Sequence, residues 1–282
     1  MIVDIHTHTF PDSIAPAALD KLQSLSHTLP FTDGTQRGLS VSMTRAGIDC
    51  SLVLPVATNV RQVERVNDTS AQINQQGSRT GIYSLGCMHP DFAGWKGELS
   101  RIVRLGLRGI KLHPVYQDVD FDDLRYLRIL DRCGELGLVV LTHAGLDIGF
   151  PGKVNCSPEM VLRAVRQVGP VKLILAHMGG WRCWDEVERL LPDTQVYLDT
   201  AFCLGKITPN GDGYYGPGDL GLMEEDRFLR MVERFGAQRI LFGTDSPWGG
   251  QKEGLERINA LPLSPQDRSD ILGGNAQRLL GL

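Results

Sequence analysis

A chain of 282 residues with 42% hydrophobic and 22% charged residues can bury a sizeable core without disulfides, which excludes a small stapled scaffold and an intrinsically disordered chain. Twenty-nine basic residues against 33 acidic ones leave a net charge of −4 with no basic tract, so neither nucleic acid nor an anionic membrane is an expected partner. The length suits two ordinary domains or one large α/β barrel.

Met1 leads directly into Ile-Val-Asp-Ile-His, without the basic start and apolar stretch of a signal peptide. The longest apolar runs, such as Leu138 to Leu141, are too short to cross a bilayer. Six scattered cysteines (Cys50, Cys87, Cys133, Cys156, Cys183 and Cys203) form no CxxC pair and read as free thiols of a reducing compartment. A cytoplasmic protein is expected.

Eight short runs rich in Val, Ile and Leu read as strands, in chain order Ile2 to His8, Ser51 to Val56, Ile82 to His89, Gly109 to His113, Leu138 to His143, Lys172 to His177, Val196 to Ala201 and Arg239 to Asp245. Amphipathic stretches lie between them: Val60 to Gln75, Gly97 to Leu105, Asp123 to Leu136, Pro158 to Val168, Trp184 to Leu191 and Glu224 to Phe235. The repeat is roughly 34 residues, the size of a βα unit. The strands are continuously apolar, which suits parallel strands covered on both faces. Ser157-Pro158 and Ser264-Pro265 read as helix starts, and Gly134, Gly137 and Gly236 as helix stops. Eight such units predict a single α/β domain over residues 1–282, a closed (β/α)8 TIM barrel. A doubly wound open sheet is the second choice, and the chain carries neither GxGxxG nor GxxxxGK[ST]. Three connections are long: Thr9 to Gly47, which should hold two helices, Leu146 to Cys156, and Gly205 to Gly221. Each follows a strand, so each should lie at the catalytic mouth.

Alternation along the first strand places Asp4, His6 and His8 on one face, where an HxH pair can present two imidazoles to one cation. Other strands also end in histidine: His89, His113, His143 and His177, while Asp245 closes the eighth. Imidazoles joined by one carboxylate form a borderline site suited to zinc, with manganese, iron or cobalt as alternatives.

The motifs DIHTH at 4–8, GIKLHP at 109–114, LTHAG at 141–145, LAHMGG at 175–180, FGTDSPW at 242–248 and ILGGNAQRLLGL at 271–282 resemble the amidohydrolase superfamily. Specifically, they resemble its amidohydrolase-2 branch, which includes hydrolases and non-oxidative decarboxylases. The resemblance implies His6, His8, His143 and Asp245 as metal ligands, with Asp245 also catalytic as the proton carrier. It implies His177 as the residue that polarises the substrate or joins the metal shell. TatD-type nucleases share the HxH start but carry a fourth-strand glutamate, where this chain has Lys111 and His113. Fourth-strand lysines of binuclear members are carboxylated and bridge two metals, yet Lys111 is expected to be a barrel-interior lysine facing Asp4 or a substrate carboxylate, so one ion is expected rather than two. His113 and His89 are read as substrate contacts or as residues behind the ligands. Trp181, Trp184, Trp248 and Phe10 are candidates for the pocket wall, Arg182, Lys153 and Lys206 for a substrate carboxylate, Tyr214 and Tyr215 for a lid, and Asp199 for orienting a histidine.

The expected activity is hydrolysis of a small, acidic ester, lactone or amide by water activated on the metal. The alternative is non-oxidative decarboxylation of a small aromatic or unsaturated acid, and the compact length leans toward the hydrolase. An inactive metabolite-binding barrel is the remote alternative. The expected partner is a small molecule, and a homodimer is the default assembly for a barrel of this size.

Overall fold

The computed structural model describes residues 1–282, and each of the eight apolar runs supplies one barrel strand. These are β1 (Val3–Thr7), β2 (Cys50–Val53), β3 (Ile82–Ser84, continued beyond Leu85 by Gly86–Cys87), β4 (Gly109–Leu112), β5 (Val139–Thr142), β6 (Lys172–Leu175), β7 (Tyr197–Asp199) and β8 (Ile240–Leu241). Each pairs in parallel with the next. The segment after β8 then returns to β1: Ile5 N donates to Phe242 O at 3.0 Å, Asp245 N to His6 O at 2.8 Å and His8 N to Ser246 O at 2.6 Å. Thr7 and Ser246 form a parallel bridge. The sheet therefore closes into a TIM barrel, and the open-sheet alternative, which needs two free edges, fails.

Alternation divides the core into two layers. Val139, Leu141, Ile174 and Leu241 belong to one apolar cluster, while Val140, Leu173, Leu175, Ile110 and Leu112 belong to a larger one that includes helix residues. The first fills the barrel and the second seals the helices onto it. Ala276, Leu279 and Leu280 of the terminal helix Asn275–Leu280 join the inner cluster beside Val3 and Ile5. Lys111 lies between two outward residues, so its side chain enters the barrel.

Helices follow where the sequence predicts them: α1 (Ala15–Ser26) and α2 (Gln36–Ala46) in the first long connection, then α3 (Val63–Gln75), α4 (Trp95–Arg104), α5 (Leu124–Glu135), α6 (Pro158–Gln167), α7 (Trp184–Leu190) and α8 (Glu225–Phe235); α9 (Gln251–Ala260), after β8, lies in none of the predicted stretches. Ser157 Oγ accepts from Met160 N and Ser264 Oγ from Asp267 N, so both predicted starts are capped. Gly134, expected as a stop, lies inside α5, and the chain reverses instead at Gly137, whose φ is +70°. The seventh connection is anchored to the first, because Thr208–Pro209 pairs antiparallel with Thr28–Leu29. All six cysteines are free thiols. No helix is long and apolar enough to cross a membrane.

Candidate metal centre

His6 lies in β1, His8 follows it, and Asp245 follows β8. Their donor atoms lie within 4.8 Å of one another. His6 Nε2 is 3.5 Å and His8 Nε2 3.1 Å from the same atom, Asp245 Oδ1. The opposite nitrogens are engaged: His6 Nδ1 is 2.8 Å from Asp199 Oδ2, and His8 Nδ1 is 2.8 Å from Leu54 O. Both acceptors require a proton on Nδ1, so in the neutral rings both Nε2 lone pairs face a carboxylate oxygen. That arrangement fits a cation. Burial holds His6 neutral, well below its usual range. Burial pushes the Asp245 carboxyl up, but a hydrogen bond from His8 and the attraction of His6, His8 and His177 when they carry a proton outweigh it and bring it to about 2. Asp199, singled out in the sequence for orienting a histidine, contacts two of them. Its Oδ2 faces His6, and its Oδ1 accepts from His177 N at 2.9 Å and Ala201 N at 3.0 Å.

Asp4 departs from the expected common face. Its carboxylate accepts from Thr244 Oγ1 at 2.6 Å and Gln251 Nε2 at 2.8 Å, away from the histidines. The register of β1 on β2 shifts between Asp4 and Thr7, so strict alternation does not hold along this strand. Lys111 accordingly does not pair with Asp4. Its Nζ lies 3.4 Å from His6 Nε2, and burial lowers its ammonium to about 8 against the pull of Asp199, Asp245 and Asp147.

His143 lies outside the group of His6, His8 and Asp245. With His113 and Asp147 it forms a second group whose donor atoms lie within 4.8 Å, and its ring stacks on His113 with centroids 4.4 Å apart. Asp147 was not among the residues singled out in the sequence; the only signal was its place four residues after His143 in a glycine-bearing loop. His177 joins the two groups. Its ring centroid is 5.3 Å from that of His6 and 4.9 Å from that of His143, and its Nε2 is 3.1 Å from His143 Nδ1. Burial depresses His113, His143 and His177 in turn. His177 and Asp245 leave their strands on left-handed backbone, with φ of +61° and +66°, which costs about 1–3 kcal/mol each for a non-glycine residue and is typical of functional positions.

The remaining candidates divide. His89 is buried, and its Nδ1 accepts from Asp91 N at 3.2 Å; it belongs to neither group. Trp181 is buried edge-on to Phe202, while Trp248, Trp184 and Phe10 are half-buried. Arg182 stacks over Trp181 and donates to the Asp219 carbonyl, and Lys153 pairs with Asp118, so both are engaged outside the histidine groups; Lys206 is exposed. Tyr214 stacks on His27 at 3.8 Å, and Tyr215 Oη donates to Ser26 O, which ties the seventh loop to α1. A cavity of about 640 Å³ lined by Phe31, Arg37, Arg45, Gln251 and Lys252 contains none of the site histidines.

A family model described as amidohydrolase matches residues 3–282. No curated protein matches the sequence significantly. Among solved structures, an uncharacterised TIM-barrel protein from Bordetella bronchiseptica is 20% identical with a TM-score of 0.73, over 99% of this chain and 98% of that one. A dihydroxybenzoic acid decarboxylase from Polaromonas, with bound manganese and the inhibitor 2-nitroresorcinol, is 17% identical with a TM-score of 0.65, over 100% and 97%. A candidate 2-pyrone-4,6-dicarboxylic acid hydrolase from Pseudomonas putida is 18% identical with a TM-score of 0.66, over 99% and 97%.

Proposed function

As a chain that belongs to the amidohydrolase family across residues 3–282, the protein is, we propose, a metal-dependent hydrolase of a small, acidic ester, lactone or amide. The observation that carries this reading is the convergence of His6 Nε2 and His8 Nε2 on one oxygen of the Asp245 carboxylate, at 3.5 and 3.1 Å. His6, His8 and Asp245 would hold the ion, with His143 and His177 the next imidazoles along the mouth. Neutral imidazoles with a carboxylate favour zinc, and the manganese of the decarboxylase neighbour supports that ion as an alternative. When bound, a divalent ion supplies Lewis acidity and a water whose pKa falls to about 7.

Asp245 is the base: it is ionised at neutral pH and accepts a proton at its carboxylate during attack, returning it to the leaving group. The donor role implied for His177 meets an obstacle. Its Nδ1 lies 2.9 Å from Ala201 O, so the neutral ring has no proton on Nε2 and cannot donate there to a substrate oxygen. His177 Nε2 instead faces His143 Nδ1 at 3.1 Å and links the two histidine groups. Lys111 Nζ, buried and rich in protons, takes over the donor role toward developing negative charge and toward a substrate carboxylate.

A second reading is non-oxidative decarboxylation of a small aromatic or unsaturated acid, favoured by the decarboxylase among the structural neighbours. In that reading the Asp245 carboxyl delivers a proton to carbon as CO₂ leaves. The test is a screen of lactones, esters, amides and hydroxybenzoates with metal-loaded protein in ¹⁸O-labelled water. Label in the acid product is expected. Release of CO₂ without label overturns the hydrolase, and less than a tenth of an equivalent of metal after supplementation overturns both readings.

A further inference from the structure

Tyr116 follows β4 on a one-turn helix, Pro114–Gln117, which the next residue fastens to the scaffold. Gln117 Nε2 donates to Ala57 O at 2.9 Å and to Met88 O at 2.6 Å, and its Oε1 accepts from His113 N at 3.2 Å and from Tyr126 Oη at 2.6 Å. Tyr116 itself is held by two neighbours. Its N donates to His113 Nδ1 at 3.4 Å, and its ring stacks on His113 with centroids 3.8 Å apart. Phe150, from the fifth connection, lies against the same ring at 5.4 Å.

The hydroxyl is the one part of this side chain left without a partner. Tyr126 donates its hydroxyl to Gln117 and Tyr215 to Ser26 O, whereas Tyr116, half-buried, forms its hydrogen bond through the backbone alone. Burial pushes the phenol far above its ordinary range, and Asp147 and Asp245 add to this, so the hydroxyl keeps its proton across the neutral range. The result is a rigid O–H donor at the mouth with no acceptor of its own. Nearby charge limits what it can bind. His113, whose Nδ1 accepts from Tyr116 N, carries its proton on Nε2 and faces Asp147 Oδ2 at 3.5 Å. That carboxylate stays beside the hydroxyl and repels a second anion. The cation of the mouth is Lys111, buried with its Nζ 3.4 Å from His6 Nε2.

We propose that Tyr116 is a specificity-determining residue: its Oη donates a hydrogen bond to an uncharged oxygen, a hydroxyl or carbonyl, on a small acid whose carboxylate lies toward Lys111. A site built to bond such an oxygen discriminates against the analogue that lacks it. Phe150, 37% exposed, gives the same end of the ligand an apolar neighbour, which suits a planar ring. The proposal rests on the reading of the mouth as a site for a small acid and adds which second group that acid carries.

The test measures binding without turnover, so that this role and the hydrolytic reading can fail separately. Benzoate and the monohydroxybenzoates are titrated calorimetrically into zinc-loaded full-length wild type and Tyr116→Phe, which keeps the ring and its stack. At least one hydroxybenzoate is expected to bind wild type more tightly than benzoate does and to lose about tenfold in Tyr116→Phe, while benzoate stays within about twofold. Chelation of the metal by a ligand hydroxyl is common to both proteins and cancels. The melting temperature of Tyr116→Phe should equal or exceed that of wild type, since the hydroxyl removed has no partner in the fold. Equal losses for benzoate and the hydroxybenzoates, no loss for any of them, no binding of any of these acids to wild type, or a clear drop in melting temperature overturns the role. A selective loss of hydroxybenzoate binding, found together with no hydrolysis in labelled water, supports the role and overturns the hydrolytic reading.

Discussion

Asp199 Oδ2, at the end of β7, accepts from His6 Nδ1, on β1, at 2.8 Å. The carboxylate keeps the imidazole proton on Nδ1 and so turns the Nε2 lone pair toward Asp245. In Asp199→Asn, Oδ1 can still accept from His177 N and Ala201 N, but an amide NH₂ now faces His6 Nδ1 and favours the opposite tautomer. Zinc affinity, measured by chelator competition, is expected to fall about 10–100-fold, with little change in melting temperature. Affinity within twofold of wild type would remove the orienting role.

Asp245→Asn keeps a ligand oxygen but cannot accept a proton. The variant is expected to retain some metal and to lose at least ~100-fold in kcat on whichever substrate the screen identifies. Near-normal turnover rules Asp245 out as the base.

Asp4 bears on stability rather than catalysis. Burial raises its carboxyl to about 7, against the lowering effect of bonds from Thr244, Gln251 and His6. The folded chain thus holds this proton more tightly than the unfolded chain, where a carboxyl titrates near about 3.9. The stabilisation is complete below the unfolded value, declines as pH rises above it, and is gone above about 7. Urea midpoints from pH 4 to 8 should therefore fall more steeply for wild type than for Asp4→Asn; parallel curves would sink the assignment.

Gly145 links β5 to the loop that carries Asp147. Its φ is +80°, and a Cβ there would lie 2.3 Å from Trp181 N; the two residues are bridged in parallel. Gly145→Ala combines left-handed strain with a backbone collision and should cost about 2–4 kcal/mol in urea unfolding. A loss under 0.5 kcal/mol, by the order of magnitude of a surface change, would mean that the bridge yields easily.

The order of strands, the helices between them and the gathering of His6, His8 and Asp245 at one rim were legible in the sequence. Apolar runs at βα spacing dictate parallel strands, and a parallel barrel delivers every strand end to the same face. The sequence could not show that Asp4 turns away from His6, because that follows from a register shift on β1 that only pairing with β2 reveals. Nor could it show that His143 lies beside His113 and Asp147, since strand position determines which face a histidine reaches but not which neighbours its ring meets or which nitrogen carries its proton. That choice is made by acceptors distant in sequence: Asp199 for His6, Leu54 O for His8 and Ala201 O for His177. Residue types and their spacing along the chain supplied the donor atoms of this protein, and closure of the barrel determined where their lone pairs point.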